Sequence, residues 1–478
     1  MNYEAVIGLE IHVQLNCATK MFCDCRNAPG DPPNSNICPI CLGIPGTLKQ
    51  FGRESLEKAV LSCLALNCEV QPESAFDQKV YYYPDLPRGF QLSQFHQPLG
   101  RNGWLDIPAE DGGWKRLRIR ETHMEEDVAR LLHETEGRRR FSLVDFNRAG
   151  APLVEIVTEP DLRSPHDAME FLRMLRGCLR YAGTAECSMD EGTMRADANI
   201  SIRPEGSTGL ATKVEVKNMN SIRHVGNAIA HEIARQTELV GRGKQVTLHT
   251  RLWDPERNVT TPMRGKFAGP CIPDPSVPVI MVSPEFLEGL RSRLPGMPGA
   301  RRKAFEERHG LTPEESALMS SERELADYYE AVVAAGAPPR AAVDWITGRL
   351  LPILRERGES LASTRVTPVR LAALLLLVER REISSSAGKE VLACLFESDL
   401  EPAAIVAEEG LAQVSDRETL EAVADAVIAD NPDAVQDYHI GKKPALGFLV
   451  GRAMKASGGT ADPKQLRRLL EEKLGPSG

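Results

Sequence analysis

Four cysteines near the start of the chain have the spacing of a zinc site. They form a C-x-C pair and a C-x2-C pair with twelve residues between the pairs, and they are Cys23, Cys25, Cys38 and Cys41. Each pair can occupy one edge of a tetrahedron, which suits zinc. Because four thiolates fill the coordination shell, we predict a structural Zn2+ and expect the chemistry to lie elsewhere. The alternative is a group of buried free thiols.

A second group of polar side chains lies where an alternating pattern predicts a β-strand. In Gly8–Leu15 (GLEIHVQL), apolar residues alternate with Glu10, His12 and Gln14. Successive side chains of a strand point to opposite faces, so the polar residues share one face and the apolar residues face a core. An ordinary solvent face more often carries Thr, Lys and Ser. The pattern therefore indicates a functional face.

The same alternation recurs in three further segments, Arg195–Arg203, Lys213–Lys217 and Arg118–Asp127. A twisted antiparallel sheet built from such strands would have one apolar face and one concave, charged face. Carboxylates, histidine and several cations together favour a site for a divalent metal and phosphate, because Mg2+ takes oxygen ligands and shares them with substrate phosphates. The alternative is a set of surface salt bridges.

Several nucleotide-binding and hydrolytic motifs are absent from the sequence. It contains no G-x-x-x-x-G-K-[ST], no G-x-G-x-x-G after a strand, no H-E-x-x-H and no G-x-S-x-G. An ATP-dependent enzyme with this sequence would therefore not use a P-loop.

The elements that must position these residues change in character along the chain. The first part is predicted to consist mostly of strands and turns, with helices at Ser164–Tyr181 and Ser221–Leu239. After Leu294 helical patterns dominate; Thr312–Glu315 predicts a capping box, and Thr367 precedes a proline that opens another helix. A chain of 478 residues is too long for one core. We predict domains at residues 1–293, 294–398 and 399–478.

Charge is distributed unevenly in this chain of net charge −9. The segment Glu397–Asp437 is acidic, whereas the chain after Ile440 is basic. The basic residues there are Lys442, Lys443, Arg452, Lys455, Lys464, Arg467, Arg468 and Lys473. Such a tail suits docking of an anionic partner, although a solvated helix face would look the same. No signal peptide and no membrane-length apolar run is evident, so we expect a cytoplasmic protein that does not bind membranes.

Several of these segments resemble the B subunit of the bacterial tRNA-dependent amidotransferase. The similar segments are Gly8–Leu15, Cys38–Gly46, Tyr83–Gln94, His123–Asp127, Asp145–Pro152, Met189–Arg203, Lys213–Ser221 and Leu446–Lys455. They occur in order over nearly the whole chain. The fold that this resemblance implies is α+β, with an antiparallel-sheet cradle domain followed by a helical domain and a small helical tail domain.

The resemblance also implies an activity and partners. A heterotrimer with an amidase subunit and a small third subunit would convert misacylated Asp-tRNA(Asn) or Glu-tRNA(Gln) into the amidated form. The B subunit would use ATP to phosphorylate the side-chain carboxylate, and ammonia would arrive through a tunnel from the amidase subunit. The tail would contact the outer body of the tRNA. This chain lacks the Ser-Ser-Lys apparatus of the amidase, so it should not release ammonia from glutamine alone.

The site residues implied by the resemblance fall into four groups. The expected Mg2+ ligands are Glu10, His12 and Glu125, with Glu126, Asp127 and Asp197 as further candidates and His123 as a neighbour. Catalytic roles are expected for Glu10, His12, Glu125, Lys79, Arg195 and Lys217. Binding of the ATP cofactor is expected at Arg88, Lys213 and Asn199. The candidates for the tunnel are Tyr82, Asn218, Asn220 and Ser221.

One stretch departs from the family pattern. Family members carry a Tyr-Arg-Tyr-Phe-Pro run where this chain has Phe267–Pro275 (FAGPCIPDP). Two other functions would account for part of the pattern: a zinc-stapled RNA-binding protein without catalysis, and a stand-alone metal-dependent hydrolase using Glu10 and His12. Acidic strand faces would repel a phosphate backbone unless metal intervened, which disfavours the first. The absence of a metallohydrolase motif disfavours the second.

Overall fold

The computed structural model describes residues 2–28, 30–263, 269–412, 417–442, 444–457 and 461–475. The chain divides into two compact units, Met1–Ala300 and Arg301–Gly478. The first unit is built around β-sheet and the second from helices, which confirms the predicted α+β class. The finer division at residues 293/294 and 398/399 stays a prediction.

The first unit contains the strands and the longest helices. The strands are β1 (Tyr3–Gln14), β2 (Glu69–Val70), β3 (Glu73–Val80), β4 (Phe90–Gln97), β5 (Gly100–Pro108), β6 (Trp114–Glu126), β7 (Arg130–Glu136), β8 (Arg139–Asp145), β9 (Pro152–Thr158), β10 (Met194–Pro204), β11 (Val214–Met219), β12 (His249–Asp254), β13 (Val259–Pro262), β14 (Cys271–Pro273) and β15 (Ile280–Met281). Its helices are α1 (Arg53–Ala65), α2 (Pro165–Tyr181), α3 (Ile222–Gly241) and α4 (Pro284–Arg291).

The second unit is helical. Its helices are α5 (Pro298–His309, which spans the division), α6 (Pro313–Met319), α7 (Arg323–Ala334), α8 (Pro339–Trp345), α9 (Leu351–Arg357), α10 (Pro368–Glu379), α11 (Ser385–Glu397), α12 (Pro402–Glu408), α13 (Arg417–Asp430), α14 (Pro432–His439), α15 (Pro444–Ala456) and α16 (Pro463–Leu474). A short π-helical stretch, Ile346–Leu350, joins α8 to α9.

One large sheet organises the first unit. Within the described residues it has thirteen strands, and its main path runs β13-β12-β11-β10-β1-β9-β6-β4-β3-β14. Neighbouring strands are antiparallel except β11 and β12, which are parallel. Strands β7 and β8 form a separate hairpin. The antiparallel sheet was predicted, whereas the parallel pair was not.

The alternation predicted in β1 is present in the structure. Leu9 and Ile11 are at most 1% exposed and lie in the hydrophobic core, whereas Glu10 and His12 are half-buried on the other face. Helices α1, α2 and α3 pack against the apolar side of the sheet. This arrangement leaves the opposite face of the central strands for polar chemistry.

The predicted helix starts are confirmed by their caps. The hydroxyls of Ser164 and Ser221 accept hydrogen bonds from the backbone three residues ahead, at the starts of α2 and α3. Thr312 and Glu315 form the predicted capping box at α6, and Thr367 caps α10. Each cap satisfies a backbone N–H that has no partner within its helix.

Candidate active site

Strands β9, β1 and β10 bring residues that are distant in sequence onto one polar face. In the antiparallel register His12 of β1 stands opposite Glu155 of β9 and Arg195 of β10. Glu10 stands opposite Asp197 in the same way. Directly opposed residues of antiparallel strands project from the same face and interact. These side chains therefore line one continuous polar surface.

Three side chains on this face are close enough to share a metal ion. One ligand atom from each of Glu10, His12 and Glu155 lies within 4.8 Å of the others. Nε2 of His12 is 3.7 Å from Oε2 of Glu155. We call these residues together with Glu125 the carboxylate cluster. Hard oxygen donors and one imidazole around a small volume suit a divalent cation.

Glu125 completes the cluster from the neighbouring strand β6. It is 1% exposed, and its Oε2 has no hydrogen-bond partner among the described residues. The closest cation is Nζ of Lys79, 3.9 Å away. Burial opposes ionisation of Glu125, but the charges of Lys79 and His12 and hydrogen bonds from Glu155 and Ser93 together lower its pKa. The carboxylate therefore stays ionised with one oxygen unpartnered among the described residues, which fits a cation ligand.

Glu155 shows the opposite effect. Its pKa is raised well above the usual value by burial and by the negative charges of Glu125 and Glu10. Two buried carboxylates side by side cannot both ionise without compensation. The pKa of Lys79 is raised in turn, chiefly because Glu125 stabilises its ammonium form.

The other predicted acidic ligands are each held by a cation. Glu126 forms an ion pair with Arg88 and accepts the backbone N–H of Leu92 at 3.0 Å. The carboxylate of Asp127 accepts a hydrogen bond from Arg195 at 2.9 Å. Asp197 accepts one from Lys217. The structure thus does not group these three acids with Glu10, His12 and Glu155.

The predicted basic contacts lie around the carboxylate cluster. Lys79 approaches Glu125, Arg195 stands opposite His12, and Lys217 bridges Asp197 and Glu215. Arg88 is instead occupied by Glu126. Asn199 lies two residues beyond Asp197 on β10, and Lys213 is exposed just before β11 begins. His123 stands opposite Glu155 in the register, but its Nε2 is 3.4 Å from Glu121.

The tunnel candidates have varied surroundings. Tyr82 is 88% exposed. The amide of Asn218 donates to the carbonyl of Trp253 at 3.2 Å, and Asn220 contacts His224. Ser221 caps α3 and also lines a cavity of about 200 Å3. Their role in a tunnel stays a prediction.

The segment that departs from the family pattern reaches the edge of the site. Phe267 and Ala268 lie outside the described residues, but Cys271–Pro273 forms β14 beside β3. Cys271 stands opposite Lys79 in that pairing. A small thiol therefore occupies a position next to a candidate catalytic lysine.

The four cysteines predicted to bind zinc do converge. Their Sγ atoms lie within 4.8 Å of one another, with Cys23 and Cys41 buried and Cys25 and Cys38 half-buried. A hydrogen bond with Cys23 and the nearby charge of Lys20 lower the pKa of Cys41 to about 4. A thiolate favoured at neutral pH and three adjoining sulfurs fit a closed Zn2+ site.

Glu155 is the member of the carboxylate cluster that sequence reasoning missed. It lies in Pro152–Thr158 (PLVEIVT), an apolar strand that does not alternate. The available signal was a single carboxylate between Val154 and Ile156, both fully buried. A charged residue in a strand of that kind needs a partner or a function.

Family models and known proteins match nearly the whole chain. A family model described as "GatB/GatE catalytic domain" matches residues 5–288, and one described as "GatB domain" matches residues 327–474. A B subunit of the aspartyl/glutamyl-tRNA(Asn/Gln) amidotransferase of Syntrophus aciditrophicus (strain SB) is 59% identical over 474 residues, covering 99% of each chain. The corresponding B subunits of Carboxydothermus hydrogenoformans and Thermomicrobium roseum are 44% and 45% identical, each over 99% of both chains. Among the described residues, no helix is both long and apolar enough to span a bilayer.

Proposed function

This chain belongs to the family of B subunits of aspartyl/glutamyl-tRNA(Asn/Gln) amidotransferases, and from that premise we propose its reaction. It uses ATP to phosphorylate the side-chain carboxylate of misacylated Asp-tRNA(Asn) or Glu-tRNA(Gln). A carboxylate oxygen forms a bond to the γ-phosphorus as ADP leaves. Ammonia then bonds to the acyl carbon, inorganic phosphate departs with the C–O electron pair, and ammonia gives up a proton.

The proposal includes partners and a location. An amidase subunit supplies the ammonia, and a small third subunit completes a heterotrimer that acts in the cytoplasm. The amide nitrogen comes from such a partner, because this chain lacks the Ser-Ser-Lys apparatus with which the amidase subunit would release ammonia from glutamine. The tail domain binds the body of the tRNA.

The observation that carries the proposal is the mixture of charges on one sheet face. The carboxylate cluster lies beside Lys79, and Arg195 and Lys217 flank it on β10 and β11. A phosphate-transfer site needs a cation between anionic oxygens and basic side chains that neutralise the remaining charge. A surface that only bound RNA would have no use for buried, partly unpartnered carboxylates.

We assign a Mg2+ site to Glu10, His12, Glu125 and Glu155. The orphaned oxygen of Glu125 and the raised pKa of Glu155 support this assignment, since both reflect negative charge that lacks compensation. When bound, Mg2+ would polarise phosphate oxygens and offset their charge. The four cysteines would hold a structural Zn2+ away from the reaction.

The basic side chains bind and orient the anionic substrates. The pKa of Lys79 is raised, so it remains an ammonium and can donate to a phosphate or carboxylate oxygen. Arg195 and Lys217 are held by Asp127 and Asp197, which fixes their positions while leaving donors free. Preorganised donors of this kind stabilise charge that develops during transfer.

Carboxylate-to-amide variants test the proposed site in the assembled enzyme. Glu10→Gln and Glu155→Gln should each reduce tRNA-dependent ATP hydrolysis by at least roughly 100-fold. Assembly with the partner subunits should be retained, because neither side chain contributes to the apolar core. Glu4→Gln is the matched control, since Glu4 lies on the same face of β1 but pairs with Arg203 at 2.7 Å.

Two outcomes would count against the proposal. Wild-type ATP hydrolysis in Glu10→Gln would remove Glu10 from the metal site. Tight tRNA binding by the wild-type complex, without any tRNA-dependent ATP hydrolysis, would favour the RNA-binding function without catalysis.

A further inference from the structure

The loop between the two cysteine pairs holds a distant segment, Asp145–Ala151, by hydrogen bonds. The backbone N–H of Asn34 donates to the carboxylate of Asp145 at 3.0 Å. Asn147 is 1% exposed, and its Oδ1 accepts the backbone N–H of Asn36 at 2.9 Å. Its Nδ2 donates back to two carbonyls of the same loop at 2.8 and 3.3 Å. Asn147 thus joins two parts of the chain over a hundred residues apart in sequence.

Lys20 connects this segment to the cysteines themselves. The side chain is 1% exposed, and its Nζ donates to the carbonyl of Phe146 at 3.0 Å. The same nitrogen lies 3.7 Å from Sγ of Cys41. The backbone N–H of Met21 also donates to the carbonyl of Gly150 at 2.9 Å. A buried ammonium is stable only when it is partnered. Here the partners of the Lys20 ammonium are Cys41 of the cysteine cluster and the carbonyl of Phe146.

The far end of the segment holds Asp127 on the polar face. Gly150 donates its N–H to the carbonyl of Asp127 at 2.9 Å, and Asp127 donates its own N–H to Ala151 at 2.8 Å. Nε of Arg148 lies 3.3 Å from the carboxylate of Asp127. That carboxylate also accepts the hydrogen bond from Arg195 at 2.9 Å. A chain of hydrogen bonds and ion pairs therefore runs from the cysteine cluster to Arg195.

We propose that Lys20 and Asn147 are positioning residues that make the placement of Arg195 depend on an ordered cysteine cluster. The cluster fixes the loop between its cysteine pairs, and this loop fixes Asp145–Ala151. That segment in turn fixes Asp127, which orients the guanidinium of Arg195 toward the anionic substrate. The cluster thus contributes to substrate binding although it lies outside the reaction. The effect on substrate binding rests on the proposed function. The dependence of Arg195 on the cysteine cluster does not.

The test uses the chain assembled with its partner subunits and two variants, Asn147→Ala and Lys20→Met. Lys20→Arg is the conservative variant that should restore the donor. Ser62→Ala is the control for simple destabilisation, because it removes a buried hydrogen bond to Thr184 of 3.0 Å that lies off this path. The measurements are amide hydrogen exchange, zinc content, and KM and kcat for ATP and misacylated tRNA.

In Asn147→Ala and Lys20→Met, exchange in peptides covering residues 145–151 should rise roughly 10- to 100-fold, because each variant removes two or more hydrogen bonds. Peptides from β1 should keep their protection, and zinc content should stay at the wild-type level because all four thiols remain. KM for at least one substrate should rise several-fold, with a smaller change in kcat. Lys20→Arg should recover much of this loss, and Ser62→Ala should leave residues 145–151 and KM unchanged.

Three results would overturn the proposal. The first is unchanged exchange at residues 145–151, and the second is a uniform rise throughout the first unit that Ser62→Ala reproduces. The third is faster exchange at residues 145–151 with both KM values unchanged, which would show that the segment does not position Arg195. If wild-type enzyme lacked amidotransferase activity altogether, the proposed function would fail while the exchange data still decided the link between the cluster and the segment.

Discussion

Neutralising the unpaired basic side chains of the tail should weaken tRNA binding. The size of the effect follows from the number of cations that have no acidic partner. Four exposed basic residues after Ile440 form no ion pair with any residue that the structure describes: Arg452, Lys455, Lys464 and Arg467. They lie three residues apart on α15 and on α16, so each pair shares one helix face. Leu449 and Leu466 point into the core that α15 and α16 share with α13.

The remaining described basic residues of the tail are already paired. Lys442 lies 2.8 Å from Asp437, Arg468 lies 3.0 Å from Glu472, and Lys473 lies 2.6 Å from Asp425. Lys443 lies outside the described residues. We therefore expect four phosphate contacts from this face rather than the eight that the sequence would allow.

Each phosphate contact on duplex contributes about 0.9 to the slope of log affinity against log salt, so four contacts contribute about 3.6. Between 50 and 200 mM salt this share of the slope corresponds to a loss of affinity of roughly 150-fold. The variant Arg452→Gln/Lys455→Gln/Lys464→Gln/Arg467→Gln should lower the measured slope by about that amount. Fluorescence anisotropy of labelled tRNA with the assembled enzyme, titrated over this salt range, measures it.

The control is the variant Lys442→Gln/Arg468→Gln/Lys473→Gln, which removes cations that already have acidic partners. Its slope should fall much less, because each of these cations is held by a carboxylate that offsets its charge. An equal effect of the two variants, or an unchanged slope in the fourfold variant, would refute the reasoning. The second result would indicate that this face is solvated or contacts a partner protein.

Three further predictions concern metal content and stability. Cys38→Ser should lose zinc and destabilise the first unit, because three thiolates bind the metal less well than four; zinc present at the wild-type level would contradict this. Arg370→Met should lower the free energy of unfolding in urea by about 2–4 kcal/mol, because the guanidinium donates to four backbone carbonyls that would lose a buried donor. Asp274→Asn should cost about 2 kcal/mol at pH 7. Burial works against ionisation of Asp274, yet hydrogen bonds from Lys49 and Ser276 lower its pKa from 3.8 to about 2. The stability that the ionised carboxylate contributes is present above pH 4 and is lost as pH falls toward 2, so an equal cost at pH 7 and pH 2 would contradict the assignment.

Local patterns in the sequence were sufficient to predict the parts of the fold that depend only on residues close together in the chain. The period of two in Gly8–Leu15 predicted which side of β1 is buried, and serine and threonine caps predicted the starts of α2, α6 and α10. The spacing of four cysteines was sufficient to predict their convergence. Each of these inferences needs only the geometry of one element or one short loop.

The members of the carboxylate cluster could not be predicted from local patterns. Glu155 joins Glu10 and His12 because β9 pairs with β1, and strand order is a non-local property that alternation does not specify. The run Glu125–Asp127 looked like one set of ligands, but its three acids are directed to different partners. Glu125 and Glu126 are consecutive in β6 and project to opposite sides, whereas Asp127 follows the end of the strand, and each of the three lies near a different cation.

Charge balance separates the acids that hold the structure from those suited to a metal. Glu126, Asp127 and Asp197 each have a basic side chain at ion-pair distance. Glu10, Glu125 and Glu155, by contrast, have among them the ammonium of Lys79 and the imidazole of His12. Three carboxylates against one ammonium and one imidazole leave an excess of negative charge.

Burying such an excess is costly, and a protein without a bound cation reduces the cost by protonating a carboxyl group. The raised pKa of Glu155 is that response, because burial and the charges of Glu125 and Glu10 both oppose its ionisation. A divalent cation carries the charge that is missing, so all three carboxylates could ionise around it. The paired acids have no comparable need, since their cations already satisfy them. We therefore propose that Glu10, His12, Glu125 and Glu155 hold the metal, and that Asp127 and Asp197 orient Arg195 and Lys217.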